Sequence, residues 1–269
     1  MIELPRISIV TPSYNQAEFL EKTILSVLNQ DYPNLEYIIV DGGSTDGSIE
    51  IIRSYEKELA WWVSEPDRGQ VHALNKGFKR STGDWVAWQN SDDIYYPGAF
   101  HAVANAANNN PMASIISGDM MLIDKNDKPL REILYVRPTY SSLLAEGMVI
   151  ANQASFWKRE IQIKLGKLDE NYHCSFDYEW FLRLTEHSKC HHIKVFLGAL
   201  RLHDESKTSL LGKQFQYENE KILTGRKLPA WKKFLYQLRR TILMIMNGNA
   251  YYVFRGLRRR INGSNYWSI

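Results

Sequence analysis

Hydrophobic residues in the first hundred positions follow two alternating patterns. Short uninterrupted apolar runs are typical of buried strands, whereas apolar residues three to four positions apart are typical of amphipathic helices. The runs predict strands at 7–10, 37–40, 61–63 and 85–88, and the spaced residues predict helices at 19–28, 49–55 and 71–78. Strands that alternate with helices favour a mainly parallel sheet with helices on both faces. The pattern therefore predicts an α/β, Rossmann-like fold.

Polar clusters follow each of these predicted strands. They occupy residues 11–15, 41–47, 65–69 and 90–93. Ligands of such sheets bind where the loops leave the C-terminal ends of the strands. We therefore expect the four clusters to lie together in one binding site.

The alternation is less regular after Pro97. Further elements are predicted as helices at 99–109 and 176–185 and as strands at 114–123 and 130–136, with a polar turn at 124–128. The acidic residues stop before 225–229. This change predicts a globular body at 1–225 followed by a separate tail at 226–269.

Charge is distributed unevenly between body and tail. The formal net charge of the 269 residues is only +3, but from Lys221 onward there are 11 basic residues and no acidic one. The preceding 220 residues hold the other 22 basic and all 30 acidic residues. Such asymmetry indicates an anionic partner surface, either membrane or nucleic acid. The hydrophobic content of 44% supports a large core and excludes a disordered or fibrous chain.

The tail has the pattern of an amphipathic helix. Its apolar residues share one helical stripe, with basic residues towards the sides: Phe234, Leu235, Leu238, Ile242, Ile245 and Met246. A second basic helix is predicted at 251–261 after a break at 247–249. Basic and aromatic residues beside an apolar stripe favour a helix that lies in a membrane interface. Docking on the body or on a second subunit of a homodimer remains the alternative.

Cysteine content and hydropathy indicate the compartment. Cys174 and Cys190 are the only cysteines, too few for a disulfide framework, which favours a reducing environment. The first residues lack the features of a signal peptide, and no apolar run approaches the roughly 18–20 residues that span a bilayer. We expect a cytoplasmic protein that meets a membrane from one side only.

Two adjacent carboxylates end the cluster Asn90-Ser91-Asp92-Asp93. Neighbouring carboxylates repel each other unless a cation or ligand hydroxyls share them. Carboxylate oxygens suit hard cations such as Mg²⁺ or Mn²⁺. The cluster therefore indicates a divalent metal site, although an Asx-rich turn that caps the next helix also explains it.

The glycine-rich segment from Asp41 to Ser48 follows the second strand. Its glycines permit close approach of a ligand, and Ser44, Asp46 or Ser48 can cap the following helix. It lacks the alternating Asp positions and closing Glu of a calcium loop. A cap does not explain Asp41, which therefore indicates a second function at the strand end.

Five motifs occur in order along the chain. They are Thr-Pro-Ser-Tyr-Asn at 11–15, Val-Asp-Gly-Gly-Ser-Thr-Asp-Gly-Ser at 40–48, Gly-Gln-x-x-Ala-Leu-Asn-x-Gly at 69–77, Asn-Ser-Asp-Asp at 90–93 and Phe-Asp-Tyr-Glu-Trp at 176–180. Together they resemble the family 2 glycosyltransferases, which have the GT-A fold. The resemblance is dense over residues 6–100, returns at 152–207 and does not cover the tail.

The resemblance implies an inverting glycosyltransferase of the hexosyltransferase type that uses a nucleotide-diphosphate sugar, most often a UDP-sugar. It implies Mn²⁺ or Mg²⁺ as cofactor and a hydroxyl of a glycan or lipid-linked saccharide as acceptor, in cell-surface polysaccharide or glycoconjugate synthesis. Residues 1–100 would then bind the nucleotide and 101–225 the acceptor. The tail would hold the enzyme at the inner face of the cell membrane, with no nucleic-acid partner.

The resemblance assigns the donor-side residues one by one. Tyr14 matches the aromatic residue that stacks on the nucleobase, and Thr11 and Pro12 shape that pocket. Asp41 matches the carboxylate that accepts a hydrogen bond from the base, and Arg68 matches the arginine near base and diphosphate.

The metal and acceptor sides are assigned in the same way. Asp93 matches the metal ligand and Asp92 the ribose contact, with Asn90 in place of the first carboxylate of the triplet form. His203 matches a histidine near the phosphates or metal, although a surface histidine is the alternative.

Asp177 matches the catalytic base, for which a charge at a helix N-terminus is the structural alternative. Gln153 and Glu179 are assigned to the acceptor side. Since Glu179 lies roughly 200° around the helix from Asp177, the two carboxylates cannot share one face.

Three other classes of protein compete with a glycosyltransferase. A sugar nucleotidyltransferase also uses carboxylate-bound Mg²⁺, but normally has a Gly-rich phosphate loop with a Lys near the N-terminus, which this sequence lacks. A non-catalytic carbohydrate- or nucleotide-binding scaffold tolerates loss of Asp93 and Asp177, and both are present. A nucleic-acid-binding module explains the tail but not the five motifs of the body.

Overall fold

The computed structural model describes residues 4–203 and 211–261. Its strands are β1 (Ile7–Ser13), β2 (Leu35–Asp41), β3 (Trp61–Ser64), β4 (Trp85–Trp88), β5 (Ile94–Tyr95), β6 (Ile115–Ile123), β7 (Pro129–Ile133), β8 (Ser155–Lys158) and β9 (Cys190–Arg201). Its helices are α1 (Ala17–Leu28), α2 (Ser48–Ser54), α3 (Gln70–Arg80), α4 (Ala99–Asn109), α5 (Tyr140–Glu146), α6 (Arg159–Leu165), α7 (Phe176–His187), α8 (Gly212–Ile222), α9 (Ala230–Met246) and α10 (Ala250–Ile261).

The described strands form one mixed sheet in the order β3-β2-β1-β4-β8-β6-β9-β5, and β7 pairs with β6. The first four are parallel, so their C-terminal ends meet at one edge, where Ser13 pairs with Asp41 and Asp41 with Ser64. β8 pairs antiparallel with both β4 and β6, whereas β9 runs parallel to β6. The α/β fold is confirmed, and the parallel part brings the predicted polar clusters together.

Most predicted elements of the first hundred residues are confirmed, and β4 and α4 have the predicted bounds. Residues 11–13, predicted as loop, instead extend β1, because their backbone pairs with β2 up to Asp41. Sequence pattern missed β5, α5, β8, α6, β9 and α8. β8 has only four residues, and β9 alternates irregularly between buried and exposed positions, so neither has a clear period.

The sheet is covered on both faces by apolar side chains. One face packs against α1 and α4 through residues such as Leu20, Ile24 and Phe100. The opposite face packs against α3 and α7, where the Trp157 ring centroid lies 5.3 Å from that of Trp88 and 5.9 Å from that of Trp180. This aromatic packing fixes α7 on the sheet, and α7 carries Asp177.

One glycine explains how closely α3 approaches the sheet. A Cβ atom added at Gly77 would overlap the side chain of Val10 on β1. The glycine that ends the 69–77 motif therefore permits direct packing of α3 on the strand that leads into the Tyr14 loop.

The tail forms the two predicted helices, and α9 lies against the body. The Arg240 guanidinium is 2.7 Å from the carboxylate of Glu146 at the end of α5, and Met244 is buried. On α10, the Tyr252 hydroxyl accepts a hydrogen bond of 3.4 Å from the Leu134 amide. Arg240, one of the basic residues of the tail, is therefore paired with a carboxylate of the body.

The apolar stripe of α9 faces away from the body. Its side chains are all exposed, from 43% for Leu238 to 76% for Met246. This surface, which we call the tail stripe, consists of Trp231, Phe234, Leu235, Leu238, Ile242, Ile245 and Met246. Within residues 4–203 and 211–261, no helix combines the length and apolar character needed to cross a bilayer.

Candidate active site

A cleft of about 560 Å³ opens at the C-terminal ends of β1, β2 and β4. Its lining includes the predicted residues Pro12, Tyr14, Asp92 and Asp93. Tyr14 is 63% exposed, so its ring offers a free face to a ligand in this cleft. We call this space the donor cleft, after the ligand that the sequence predicts for it.

Asp41 and Thr11 lie beneath the donor cleft rather than on its surface. Asp41 is fully buried, and its Oδ2 accepts hydrogen bonds from the amides of Gly43 (3.0 Å) and Ser44 (2.9 Å) and from the Ser64 hydroxyl (2.7 Å). The Thr11 hydroxyl lies 3.1 Å from that of Tyr37. In this structure Asp41 orders the glycine loop, which explains a carboxylate at the strand end without any ligand.

The loops after β1 and β2 are also tied to each other. Asn15 adopts a left-handed conformation with φ of 49°, which Asn tolerates better than most residues. Its amide donates to the Ser44 hydroxyl at 2.8 Å, and its side-chain oxygen accepts from the Thr45 amide at 2.9 Å. These bonds hold Tyr14 at the mouth of the donor cleft.

Asp93 is buried at the base of the donor cleft and is surrounded by donors. Its Oδ2 accepts from the side-chain amides of Asn90 (3.0 Å) and Gln153 (2.7 Å), and its Oδ1 accepts from the Arg201 amide (2.9 Å). Burial, together with the neighbouring Asp92 carboxylate, raises the pKa of Asp93 above its ordinary value. Three donors leave few lone pairs of Asp93 for a metal ion.

Asp92 is more accessible than Asp93, and His203 lies beside it. The His203 Nε2 is 3.1 Å from Asp92 Oδ2, and the side chains are 7% and 21% exposed, respectively. Among the described residues, no cluster of three or more His, Cys, Asp or Glu side chains could hold a metal ion. A Mg²⁺ or Mn²⁺ ion that takes one or two protein carboxylates and completes its shell from substrate phosphates would need only Asp92 and Asp93 here, with His203 beside Asp92.

Arg201 is a site residue that sequence reasoning missed. Its side chain is fully buried at the end of β9, where Nε donates to the Asp92 carbonyl at 2.8 Å and Nη1 pairs with the Asp127 carboxylate. Arg201 thereby joins the Asp92–Asp93 turn to the β6–β7 turn. The sequence Leu-Arg-Leu-His contained it, but nothing in that pattern indicates burial of a charge.

Asp177 lies in a second pocket of about 380 Å³ that adjoins the donor cleft. Both spaces are lined by Leu200, and Gln153 lines the second pocket while its amide binds Asp93. The structure therefore brings Gln153 and Asp177 together, as predicted. Much of the remaining lining is apolar and comes from Met120, Tyr135, Met148, Ile150, Ala151, Tyr178 and Phe215. We call it the acceptor pocket.

Two predicted residues lie elsewhere. Glu179 binds Arg183 on the next turn of α7, at 2.6 Å to Nε and 2.8 Å to Nη2, on a different face from Asp177, as the helical angle predicts. Arg68 is not among the residues of the donor cleft, and its side chain is 69% exposed and bound to Glu170 at 2.7 Å. In this conformation the Arg68 guanidinium is paired at the protein surface.

Comparison with known proteins agrees with this architecture. The structure of Staphylococcus aureus TarS in complex with UDP-GlcNAc superimposes with a TM-score of 0.64 at 15% identity, covering 85% of this chain and 69% of that one. Sheet, flanking helices and cleft are those of a GT-A glycosyltransferase fold. Residues 8–167, more than half of the chain, match the sequence family described as Glycosyl transferase family 2. The chain belongs to this family of glycosyltransferases.

Two curated relatives extend the comparison. An uncharacterised glycosyltransferase of Rickettsia bellii is 29% identical over 260 residues, which are 92% of this chain and 36% of that protein. The putative teichuronic acid biosynthesis glycosyltransferase TuaG of Bacillus subtilis is 42% identical over 92 residues, 33% of this chain and 36% of that protein. The chain thus spans about a third of the length of either relative.

Proposed function

We propose that this protein transfers a sugar from a nucleotide-diphosphate donor to a hydroxyl group of a saccharide acceptor, with inversion at the anomeric carbon. The supporting observation is the juxtaposition of the donor cleft and the acceptor pocket. Leu200 lines both, and Gln153 reaches from one to the other to bind Asp93. A donor in the first space and an acceptor in the second would meet at this shared wall.

Each residue of the pair of sites has a distinct part in the proposed reaction. Tyr14 stacks on the nucleobase, and Asp92 accepts hydrogen bonds from the ribose. A Mg²⁺ or Mn²⁺ ion held by Asp93 and His203 would supply charge stabilisation for the departing diphosphate.

Asp177 acts as general base. The acceptor oxygen attacks the anomeric carbon from the face opposite the diphosphate, the bond from that carbon to the phosphate oxygen breaks, and the acceptor proton passes to the Asp177 carboxylate. The diphosphate leaves with the bonding electron pair, and the sugar is inverted in one displacement.

The comparisons support a UDP-sugar and a cell-surface product. TarS was crystallised with UDP-GlcNAc, and TuaG is assigned to teichuronic acid biosynthesis. We infer a uridine donor and an acceptor in cell-surface polysaccharide or glycoconjugate synthesis.

A donor screen tests the proposal against its rivals. Full-length protein is incubated with UDP- and GDP-sugars, with and without Mn²⁺, and release of nucleoside diphosphate is measured. We expect release from one donor class and stimulation by the metal ion. Nucleotide binding without any release or transfer would indicate the scaffold, and formation of a nucleotide sugar from nucleoside triphosphate and sugar 1-phosphate would indicate a nucleotidyltransferase.

We infer further that the tail stripe binds the anionic surface of a membrane. The stripe is apolar and exposed, and the tail carries no acidic residue. A symmetric pair of such helices would bring the cations of both copies together without acidic residues in the tails to offset them, which disfavours a homodimer through this surface. Anionic lipid supplies the missing charge, and the enzyme would lie at the inner membrane face, where lipid-linked acceptors are accessible.

Vesicle co-sedimentation tests this placement with full-length protein. Replacing Phe234, Leu238 and Ile245 by Ser should weaken binding to phosphatidylglycerol vesicles by about tenfold or more, because each side chain removes apolar area from water on insertion. A control variant carries Ser in place of Met112 and Ile163, two apolar residues of the body that are even more exposed than the three tail residues. Equal binding by both variants, or loss of a dimer in sedimentation velocity for the first, would contradict membrane attachment.

A further inference from the structure

The turn that leads into α7 encloses a buried carboxylate from another helix. Three consecutive backbone amides donate to Glu218 of α8: His173 to Oε1 at 3.1 Å, Cys174 to Oε2 at 2.9 Å and Ser175 to Oε2 at 2.8 Å. Successive amides that converge in this way form an anion-binding nest. Glu218 is only 2% exposed, so its charge is compensated almost entirely by this turn and by Gln214, whose side-chain amide donates at 2.9 Å.

The nest lies just ahead of α7 and ends at its N-cap, so it places a negative charge near the N-terminus of that helix. Ser175 stands at the N-cap, but its side chain makes no capping bond to the helix and instead donates to the Phe215 carbonyl at 3.4 Å. The first amides of a helix need acceptors, and a negative charge near them is stabilising. Burial raises the pKa of Glu218, but the hydrogen bonds from Ser175, Gln214 and the other two amides outweigh it and lower that pKa below its ordinary value.

This anchor lies directly behind the acceptor pocket. Ser175 and Asp177 line the pocket from α7, and Phe215 and Asn219 line it from α8 on either side of Glu218. Of the residues in α8, only Glu218 and Ile222 are buried. The place of Asp177, two residues beyond the nest, therefore depends on the carboxylate of a helix that is otherwise mostly exposed.

We propose that Glu218 is a positioning residue, which acts through the 173–175 turn to hold the Asp177 carboxylate in the acceptor pocket. The proposal rests on the proposed function for the role of Asp177. One consequence distinguishes a positioning role of Glu218 from the role of a residue that only stabilises the core. Loss of the Glu218 charge should impair proton removal from the acceptor while leaving the donor cleft intact, since neither the 173–175 turn nor α8 lines that cleft.

The test compares Glu218→Gln with Glu220→Gln, which makes the same charge change on the exposed side of the same helix. UDP affinity is measured by calorimetry. Turnover is measured with the donor that reacts fastest in the screen. For Glu218→Gln we expect kcat to fall between about tenfold and a hundredfold while UDP affinity changes by less than about twofold, as expected for a displaced catalytic group. Glu220→Gln should leave both unchanged.

A double-mutant cycle and hydrogen exchange separate positioning from general stability. If Glu218 acts through Asp177, Glu218→Gln should cause almost no further loss of turnover in an Asp177→Asn background. Exchange of the 173–175 amides should accelerate in Glu218→Gln and not in Glu220→Gln. An equal loss in both backgrounds, or wild-type turnover of Glu218→Gln, would overturn the proposal.

Two further results keep the outcomes distinguishable. If Glu218→Gln does not fold, Gln214→Ala is the second variant, because it removes one donor to the Glu218 carboxylate. Gln214→Ala should show a smaller loss of kcat and an unchanged UDP affinity. A loss of UDP affinity instead would overturn the proposal. Wild-type turnover of Asp177→Asn would contradict the proposed function itself, and unchanged exchange at 173–175 in Glu218→Gln would contradict the anchor alone.

Discussion

The donor cleft and the acceptor pocket share a wall but are assembled in different ways. The donor cleft takes its residues from loops that directly follow β1, β2 and β4, so short sequence motifs map onto it nearly intact. The acceptor pocket combines single residues from distant segments, such as Met120, Gln153, Asp177 and Phe215. A motif can therefore predict the first site, whereas the second depends on how helices pack around the sheet.

The two sites also differ in their electrostatics. Asp92 and Asp93 place two carboxylates at one end of the donor cleft, an arrangement that favours a cation there. The acceptor pocket holds Asp177 among mainly apolar side chains. Under the proposed function, the first site would take a phosphate-bound metal ion and the second a neutral ligand that carries a hydroxyl group.

Asp177→Asn is expected to have the largest effect, because it should impair the acceptor pocket and leave the donor cleft unchanged. Removal of the base should lower the rate of transfer by about 10²- to 10⁴-fold, the usual contribution of general base catalysis, while nucleotide affinity remains unchanged. Single-turnover kinetics and calorimetry with UDP measure the two quantities. Glu186→Gln, an exposed charge change on the same helix, is the control. A parallel loss of nucleotide affinity in Asp177→Asn would show that the two sites are not independent.

Tyr14→Ala is expected to have a smaller effect, and this effect should be on nucleotide affinity rather than on the rate of transfer. Loss of base stacking should weaken UDP binding by about 1–3 kcal/mol, the usual range for an aromatic residue stacked on a base. The step after binding should be affected little, because Tyr14 does not line the acceptor pocket. Tyr217→Ala, which removes an equally exposed tyrosine of α8, serves as the matched control in the calorimetry. Unchanged UDP affinity in Tyr14→Ala would show that the Tyr14 ring does not stack on the nucleobase.

The last effect concerns acid stability of the donor half, where Glu36 is a buried residue of β2. Burial raises its pKa, but hydrogen bonds from Ser8 and Thr82 and the charge of Arg6 outweigh it, so the pKa of Glu36 is lowered in the folded protein. A lowered pKa stabilises the fold above the ordinary pKa of glutamate, and this contribution is lost as the pH falls through the folded value.

Glu36→Gln should therefore reduce the free energy of unfolding at pH 7 by about 1–3 kcal/mol, because buried donors lose a charged acceptor. Urea unfolding from pH 7 to pH 3 should show a weaker decline on acidification in the variant than in the wild-type protein. An identical pH dependence of the two proteins would mean that Glu36 does not contribute to acid denaturation.

Sequence pattern predicted the parallel part of the sheet because each strand there is buried and each helix is amphipathic. It also located Tyr14, Asp92, Gln153 and Asp177 at the cleft and pocket. The structure pairs Arg68 with Glu170, 102 positions away, and no local pattern predicts such a contact. Sequence pattern missed Arg201 and Glu218, because a buried charge looks like a surface charge until its partners are known.

The sequence by itself determined the fold class, the order of the donor-side motifs and the amphipathic character of the tail, since these depend on local periodicity and on residue types close together in the chain. Only the tertiary structure decided that Asp93 is enclosed by three donors and that the turn before Asp177 binds the Glu218 carboxylate. It also decided that the tail stripe faces outward, because one ion pair, from Arg240 to Glu146, and the burial of Met244 set which side of α9 meets the body. These contacts join residues far apart in the chain, and no local pattern specifies such pairings.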